Sequence, residues 1–148
     1  MRPWMLIGGV VALALVAVAG SQLANGERCA DPPGLYGEPP AGWSYTPRPA
    51  TDARSGDDVQ VARRAGSKTV GYLLAVPVQD QDGESLDAYL AQSADTTVTN
   101  EGEINGREVI RAAPGEGGRV VAAVKACHFV QVLSADPRVA EELARAVF

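Results

Sequence analysis

The pattern of apolar and polar positions changes twice along this chain. A nearly unbroken apolar run extends over residues 5–19. It is followed over residues 25–50 by a stretch rich in proline, which predicts an extended lead-in because proline cannot lie inside a helix or a central strand. From residue 51 to residue 148 short apolar runs alternate with turn residues, which is typical of a folded domain.

Six segments of this domain have the alternation and composition of β-strands. They are residues 59–61, 69–78, 97–104, 107–112, 119–124 and 128–134. Asn105 and Gly106 separate the third segment from the fourth, and both residue types accept the positive φ of a tight hairpin turn. The last two segments are rich in valine and predict a second hairpin at the centre of the sheet.

An amphipathic helix is predicted after the second strand, over about residues 85–94, with Ser85 or Asp82 as its N-cap. Its narrow apolar face is formed by Leu86, Tyr89, Leu90 and Ala94. The proline-rich lead-in is expected to wrap around the domain near Trp43 and Tyr45.

A second helix is predicted to begin at Asp136 and Pro137, with aspartate as the N-cap and proline at the first helical position. The apolar residues of this helix recur at helical spacing and are Val139, Ala140, Leu143, Ala144 and Val147. The predicted fold class is therefore α+β: a mostly antiparallel sheet of about six strands with two helices packed on it, preceded by an N-terminal apolar helix or signal.

The first 24 residues have the parts of an export signal. Arg2 precedes the apolar run, and Ala17 to Ala19 offer the small residues that signal peptidase accepts. The alternative is an uncleaved anchor through residues 4–20, near the lower length limit for a membrane-spanning helix, with Trp4 at the interface. Both alternatives predict that the domain works outside the cytoplasm, either secreted or anchored to the cell membrane.

Composition limits the remaining possibilities. About 125 residues are left after the signal, enough for one domain with a core of its own. The net charge is −5, and charges of both signs are interspersed, so no nucleic-acid partner is predicted. Arginine outnumbers lysine eleven to two, and this bias is typical of a GC-rich bacterial genome.

The two cysteines, Cys29 and Cys127, are predicted to form a disulfide bond, because an even number of cysteines outside the cytoplasm favours pairing. The alternative is two unpaired, buried thiols. The bond would join the lead-in to a core strand, and closing so long a loop would contribute about 4–5 kcal/mol in the chain-entropy model.

The candidate catalytic residues do not form a catalytic set. Cys127 is followed by His128, the only histidine, but neighbours on a strand point to opposite faces and are poorly placed for a thiol–imidazole pair. No serine elbow accompanies this histidine, and one histidine with two distant cysteines does not make a zinc site. No catalytic residue, cofactor or metal site is therefore predicted.

Three further motifs are interpreted as structural. The acidic run Asp80, Asp82, Glu84 and Asp87 lacks the spacing of an EF-hand loop and suits a turn and a helix N-terminus. The glycine-rich segment 115–118 precedes a strand, so it is a turn and not a phosphate loop. Arg63 and Arg64 are interpreted as a solvated strand end.

Several short motifs resemble the PsbP-like family. They are Pro40-Ala41-Gly42-Trp43, Glu84-Ser85-Leu86-Asp87-Ala88-Tyr89, Ile104-Asn105-Gly106-Arg107-Glu108, and a closing amphipathic helix that ends at Phe148. The resemblance covers residues 40–148. It implies an antiparallel sheet with helices on its faces and a mostly non-catalytic accessory or binding role, and it supplies no catalytic residues. The cysteine pair and the proline-rich lead-in do not match the family's pattern.

The leading functional hypothesis is a non-enzymatic accessory or binding protein outside the cytoplasm of a bacterium, with an envelope or secreted protein as its partner. Membrane contact would run through residues 4–20 if the signal is not cleaved. A small-molecule or lipid carrier, with its ligand between the sheet and a helix, is the first alternative. A small secreted hydrolase that uses carboxylates such as Glu84 or Asp87 is the second.

Overall fold

The computed structural model describes residues 28–32, 34–48, 58–81, 85–91 and 96–148. Seven strands of this part form one sheet, accompanied by two α-helices and by 3-10 turns at Gly34–Tyr36 and Val78–Gln81. The strands are β1 (Trp43–Pro47), β2 (Asp58–Arg64), β3 (Val70–Pro77), β4 (Thr96–Ile104), β5 (Arg107–Pro114), β6 (Arg119–Lys125) and β7 (His128–Ser134). The helices are α1 (Leu86–Ala91) and α2 (Pro137–Val147).

The strand order in the sheet is β1-β2-β3-β7-β6-β5-β4, and every pairing among these strands is antiparallel. The chain builds one half as a meander from β1 to β3 and then crosses, through α1, to the far edge. It returns from β4 to β7, which pairs with β3 and joins the two halves of the sheet. The predicted α+β class, antiparallel sheet and central position of β7 are confirmed.

The sheet has seven strands where the sequence predicts about six, because residues of the proline-rich lead-in form β1. The predicted wrap near Trp43 and Tyr45 is this strand, which pairs with β2. Proline is tolerated at Pro47 because β1 is the outermost strand, where a missing N–H breaks no central ladder.

Helix α2 covers one face of the sheet as predicted. Asp136 is its N-cap, accepting a hydrogen bond from the Arg138 N–H (2.9 Å), and Pro137 begins the helix. The predicted apolar face is buried, with Leu143 fully covered. Its neighbours in the core include Leu73, Val109, Val121, Val130 and Val132.

Helix α2 approaches the backbone of the sheet closely at Gly71 in β3. A Cβ at this position would overlap Leu143 Cδ1 and lie 3.4 Å from the Leu133 carbonyl oxygen. The missing side chain therefore allows Leu143 to sit directly on the strand backbone. This layer of the protein is filled by side chains.

Helix α1 covers part of the opposite face. The predicted residues Leu86, Tyr89 and Leu90 pack there on a smaller apolar cluster, and Tyr89 is 5.2 Å from Phe129 between ring centroids. The cluster also contains Ala112, Val120 and Ala122. The helix is described as far as Ala91, so the predicted positions of Ala94 and Asp82 lie outside the described residues.

The lead-in also contributes to the core next to α2. Leu35 and Tyr36 are buried, and Tyr36 Oη donates a hydrogen bond to Asp58 Oδ2 at 2.9 Å. Gln60 Nε2 donates to the same carboxylate. These contacts fix the lead-in against β2, so residues 34–48 belong to the folded unit instead of spacing it from the N-terminal segment.

The predicted export signal or anchor, residues 1–24, lies outside the described residues. Within the described part of the chain, no helix is both long and apolar enough to cross a membrane.

Candidate functional site

A disulfide bond joins Cys29 to Cys127, as predicted, so the alternative of two unpaired thiols is wrong. The two Cα atoms are 5.1 Å apart, which is within the usual range for a disulfide. The bond closes a sequence separation of 98 residues. It attaches the start of the described chain to the end of the sheet at which β6 turns into β7.

The prediction that Cys127 lies on a core strand is wrong, because Cys127 lies in the β6–β7 turn. Ala126 and Cys127 have φ of 48° and 66°, so both central residues of this tight turn adopt the left-handed conformation. Such turns favour asparagine and glycine, and an alanine–cysteine pair therefore gives no turn signal in the sequence. The Val78 N–H donates to the Cys127 carbonyl oxygen (3.0 Å) and fixes the turn to the end of β3.

His128 is the first residue of β7 and has a structural contact. Its Nδ1 lies 2.7 Å from the Ala126 carbonyl oxygen, and the ring is buried. The neighbouring Cys127 sulfur is bonded to Cys29. A thiol–imidazole pair is therefore not formed, and the reason is the disulfide and not the opposite faces of a strand.

The predicted acidic run is divided between different parts of the chain. Asp80 lies in the 3-10 turn Val78–Gln81 and Asp87 lies on α1, whereas Asp82 and Glu84 fall outside the described residues. Among the residues that the structure describes, no group of three or more histidine, cysteine, aspartate or glutamate side chains could hold a metal ion.

The glycine segment and the arginine pair have the predicted structural roles. The Gly117 N–H donates to the Pro114 carbonyl oxygen (3.0 Å), which closes a turn between β5 and β6. Arg63 and Arg64 are exposed at the end of β2. The Arg64 guanidinium lies 5.7 Å from the ring centroid of Trp43 and 3.9 Å from Glu142 Oε1.

Glu141 on α2 binds two arginines of the sheet, an arrangement that was not predicted from the sequence. Arg111 Nε and Nη2 donate to its two carboxylate oxygens at 2.6 and 3.1 Å, and Arg119 Nη1 donates to Oε1 at 3.0 Å. The hydrogen bond from Arg111 is the main cause of a pKa of Glu141 below its usual range. The cluster fixes α2 to β5 and β6.

The C-terminal end of α2 is capped by side chains from the end of β6 and from the β4–β5 turn. Lys125 Nζ donates to the Val147 carbonyl oxygen, and Asn105 Nδ2 donates to that of Arg145 (3.2 Å). These donors satisfy helix carbonyls that have no partner inside the helix. Burial, and then the charge of Arg107, lower the pKa of Lys125. Lys125 and Asn105 thus have structural partners at this end of the sheet.

An exposed surface at the far edge of the sheet is the candidate interaction site. Glu101 and Glu103 of β4 and Glu108 of β5 are exposed, and Glu103 stands directly opposite Glu108. Val98 and Val124 are the large apolar side chains that remain exposed among the described residues, with 39% and 47% of their surface accessible. This surface was not predicted from the sequence, although the Asn105-Gly106 turn alone implies that Glu103 and Glu108 are paired.

Comparison of the chain with protein-family models, with curated proteins and with solved structures gave no match. The resemblance to the PsbP-like family stays a prediction from the short motifs quoted above.

Proposed function

We propose that this protein is a non-enzymatic accessory or binding protein that works outside the cytoplasm of a bacterium, with an envelope or secreted protein as its partner. The observation that carries the proposal is the disulfide between Cys29 and Cys127, whose first cysteine lies ten residues after the apolar segment 5–19. Structural disulfides persist in oxidising compartments and are rare in the cytosol. An export segment followed by such a bond supports work outside the cytoplasm.

Packing favours binding at the surface over transport of a small ligand inside. A carrier would hold its ligand between the sheet and a helix, but Leu143 of α2 already contacts the backbone of β3 at Gly71. Glu141 and Lys125, whose pKa values are shifted, form contacts that hold α2 in place. A partner would therefore contact an outer surface of the domain.

Export is tested with a fusion of residues 1–50 to an alkaline phosphatase that lacks its own signal, because this reporter is active only outside the cytoplasm. We expect activity from the fusion and its loss when Leu13→Arg and Leu15→Arg interrupt the apolar run. Equal activity of the fusion and its variant would contradict export by this segment. The mass of the N-terminal peptide then separates a cleaved signal from an anchor.

The binding role is tested by cross-linking the tagged full-length protein in cells and isolating it from envelope fractions. We expect one partner that is retained by the tagged protein and displaced by an excess of the untagged protein. Recovery of only those proteins that also bind an unrelated exported domain would contradict the proposal.

A further inference from the structure

Among the strands that the structure describes, β4 has one hydrogen-bonded neighbour, β5, and its other side is an edge of the sheet. Across the two-residue turn at Asn105 and Gly106, Ile104 pairs with Arg107 and Gly102 with Val109. In such a hairpin the flanking pair is hydrogen-bonded, and hydrogen-bonded and non-hydrogen-bonded pairs then alternate. Glu101 and Glu103 belong to the non-hydrogen-bonded pairs, so their N–H and C=O groups point away from β5, towards the outside of the sheet.

A bulge divides this edge into two short stretches. The pairing of β4 with β5 shifts between Val98 and Asn100, which leaves Thr99 as the additional residue. Bulges limit long edge-to-edge pairing. Residues 100–104 nevertheless keep a regular register with β5, and the edge can accept one short extended segment there.

On the face of the sheet that carries Glu108, the described charged side chains beside this edge are acidic, whereas Arg107 and Arg111 of β5 lie on the opposite face. Glu101 and Glu103 are two residues apart, so their side chains lie on the same face of the sheet as Glu108. Like charges directly opposite each other destabilise a strand pair, as Glu103 and Glu108 do here. Ion pairs are found for Glu141 and Glu142, whereas none is found for these three carboxylates among the described residues. A basic strand beside β4 would compensate this repulsion.

The opposite edge of the sheet is less suited to strand addition. Strand β1 has five residues against nine in β4, and it includes Pro47, which has no N–H to donate. A second copy of the chain is also a poor occupant of the β4 edge. Antiparallel pairing centred on Gly102 would place Glu101 of each copy opposite Glu103 of the other, and the net charge of each chain is −5.

We infer that residues 100–104 of β4 form a docking site for an extended segment of a partner protein that carries lysine or arginine at alternate positions. Backbone hydrogen bonds at Glu101 and Glu103 would supply affinity, and the glutamate side chains would select basic residues. Val98 offers an apolar contact beside the site. The inference rests on the proposed binding role and names the class of partner for it.

The probe is a short fluorescent peptide in which lysine and valine alternate, titrated with the full-length protein. Two peptides serve as controls: one with glutamate in place of lysine, and one with the original sequence N-methylated at every residue, which removes the backbone N–H groups of both edges. The N-methylated peptide keeps its charge and cannot donate the backbone hydrogen bonds of strand addition. We expect only the unmodified lysine peptide to bind, with amide shifts in the spectrum of the protein concentrated at 100–104.

The protein variants separate local charge from net charge. We expect the double variant Glu101→Gln, Glu103→Gln to weaken binding by about tenfold or more. The matched double variant Glu38→Gln, Glu116→Gln removes two exposed carboxylates away from the edge and should bind like the unmodified protein. Circular dichroism spectra and unfolding midpoints equal to those of the unmodified protein show that both variants are folded.

Four results would overturn the inference: equal binding of the N-methylated peptide, equal weakening by the two double variants, amide shifts centred on β1, or a dimer paired through β4. Absence of any binding of the lysine peptide would overturn it too.

The cross-linked partner separates this inference from the proposed function. If the Glu101→Gln, Glu103→Gln variant captures that partner as well as the unmodified protein does, the β4 site is wrong and the binding role stands.

Discussion

Arg111 and Glu141 form a two-pronged ion pair that joins β5 to α2, with distances of 2.6 Å from Nε to Oε1 and 3.1 Å from Nη2 to Oε2. Glu141 Oε1 also accepts from Arg119. We expect Glu141→Gln to lower the free energy of unfolding by about 1.5–3 kcal/mol, because two partly buried arginines lose their charged partner. Urea unfolding measures the change.

The neighbouring substitution Glu142→Gln is the matched control for this prediction. Its side chain is 39% exposed, against 15% for Glu141, and its ion pair with Arg64 spans 3.9 Å. We expect a cost of about 0.5 kcal/mol or less, since exposed ion pairs contribute little and glutamine still accepts the hydrogen bond of Trp43 Nε1. Equal costs for the two substitutions would contradict a special role for Glu141.

The contribution of Glu141 should depend on pH. Its pKa in the folded protein lies below the usual value of about 4.3, mainly because Arg111 donates to the carboxylate. The stabilisation is therefore fully present above pH 4.3 and is lost as the pH falls through the folded pKa. The stability difference between the unmodified protein and Glu141→Gln should be constant between about pH 5 and 7 and shrink below about 4.3. A difference that grows in acid would contradict this mechanism.

Tyr36 and Tyr45 provide a pair of matched substitutions. Tyr36 Oη donates a hydrogen bond to Asp58 at 2.9 Å. Tyr45 lies in β1, and its buried Oη has no hydrogen-bond partner among the described residues. We expect Tyr36→Phe to destabilise by about 1–2 kcal/mol and Tyr45→Phe to be neutral or stabilising, because only the first removes a hydrogen bond. Thermal unfolding of both variants measures these changes. A clear loss of stability in Tyr45→Phe would refute the absence of a hydrogen bond at Tyr45 Oη.

Gly117 and Gly118 separate backbone strain from steric overlap. Both have positive φ, 93° and 91°, but a Cβ at Gly118 would overlap the Ser134 carbonyl oxygen and lie 2.9 Å from Ala135 Cα. A Cβ at Gly117 would meet nothing within 4 Å. We expect Gly117→Ala to cost about 1–2 kcal/mol from φ alone, and Gly118→Ala about 3 kcal/mol or more. Similar unfolding midpoints for the two variants would contradict this prediction and would show that the backbone at the β7–α2 junction can move to accommodate the Cβ.

Loss of the disulfide should destabilise the domain strongly. The double variant Cys29→Ser, Cys127→Ser releases a closed loop of about 100 residues, for which the chain-entropy model gives about 4–5 kcal/mol. Urea unfolding of the variant and of the reduced protein should agree. Intact mass that rises by two hydrogens on reduction, without thiol labelling of the native protein, verifies the bond. Labelling of Cys29 in the native protein would contradict it.

Much of the fold could be predicted because strong local signals agree with the tertiary structure. Asn105 and Gly106 adopt the φ values of 53° and 81° that their turn requires, and Asp136 caps α2. The spacing of Val139, Leu143 and Val147 identified the buried face of that helix. In each case the short-range preference of the residues is also what the packing demands.

The remaining features depend on contacts that are distant in the sequence. Strand β1 forms because β2 provides a pairing partner for it. The sequence gives no strand signal there, because Pro47 lies in β1 and more prolines flank it. The β6–β7 turn places Ala126 and Cys127 in a conformation that neither residue favours, because the two strands and the disulfide determine it. The three carboxylates of the candidate site become a group only when the register of β4 and β5 is known, so composition alone could not show it.

The disulfide also sets the maximum length of the linker between the apolar segment and the domain. From residue 20 to Cys29 the covalent path is nine residues, which cannot exceed about 30 Å in any conformation. Without the bond the first buried side chain would be Leu35, and the path would extend to about 50 Å. If the protein is anchored, the oxidised form would thus keep the β6–β7 and β4–β5 turns near the membrane surface. Reduction of the disulfide would increase the distance from the membrane that the domain can reach.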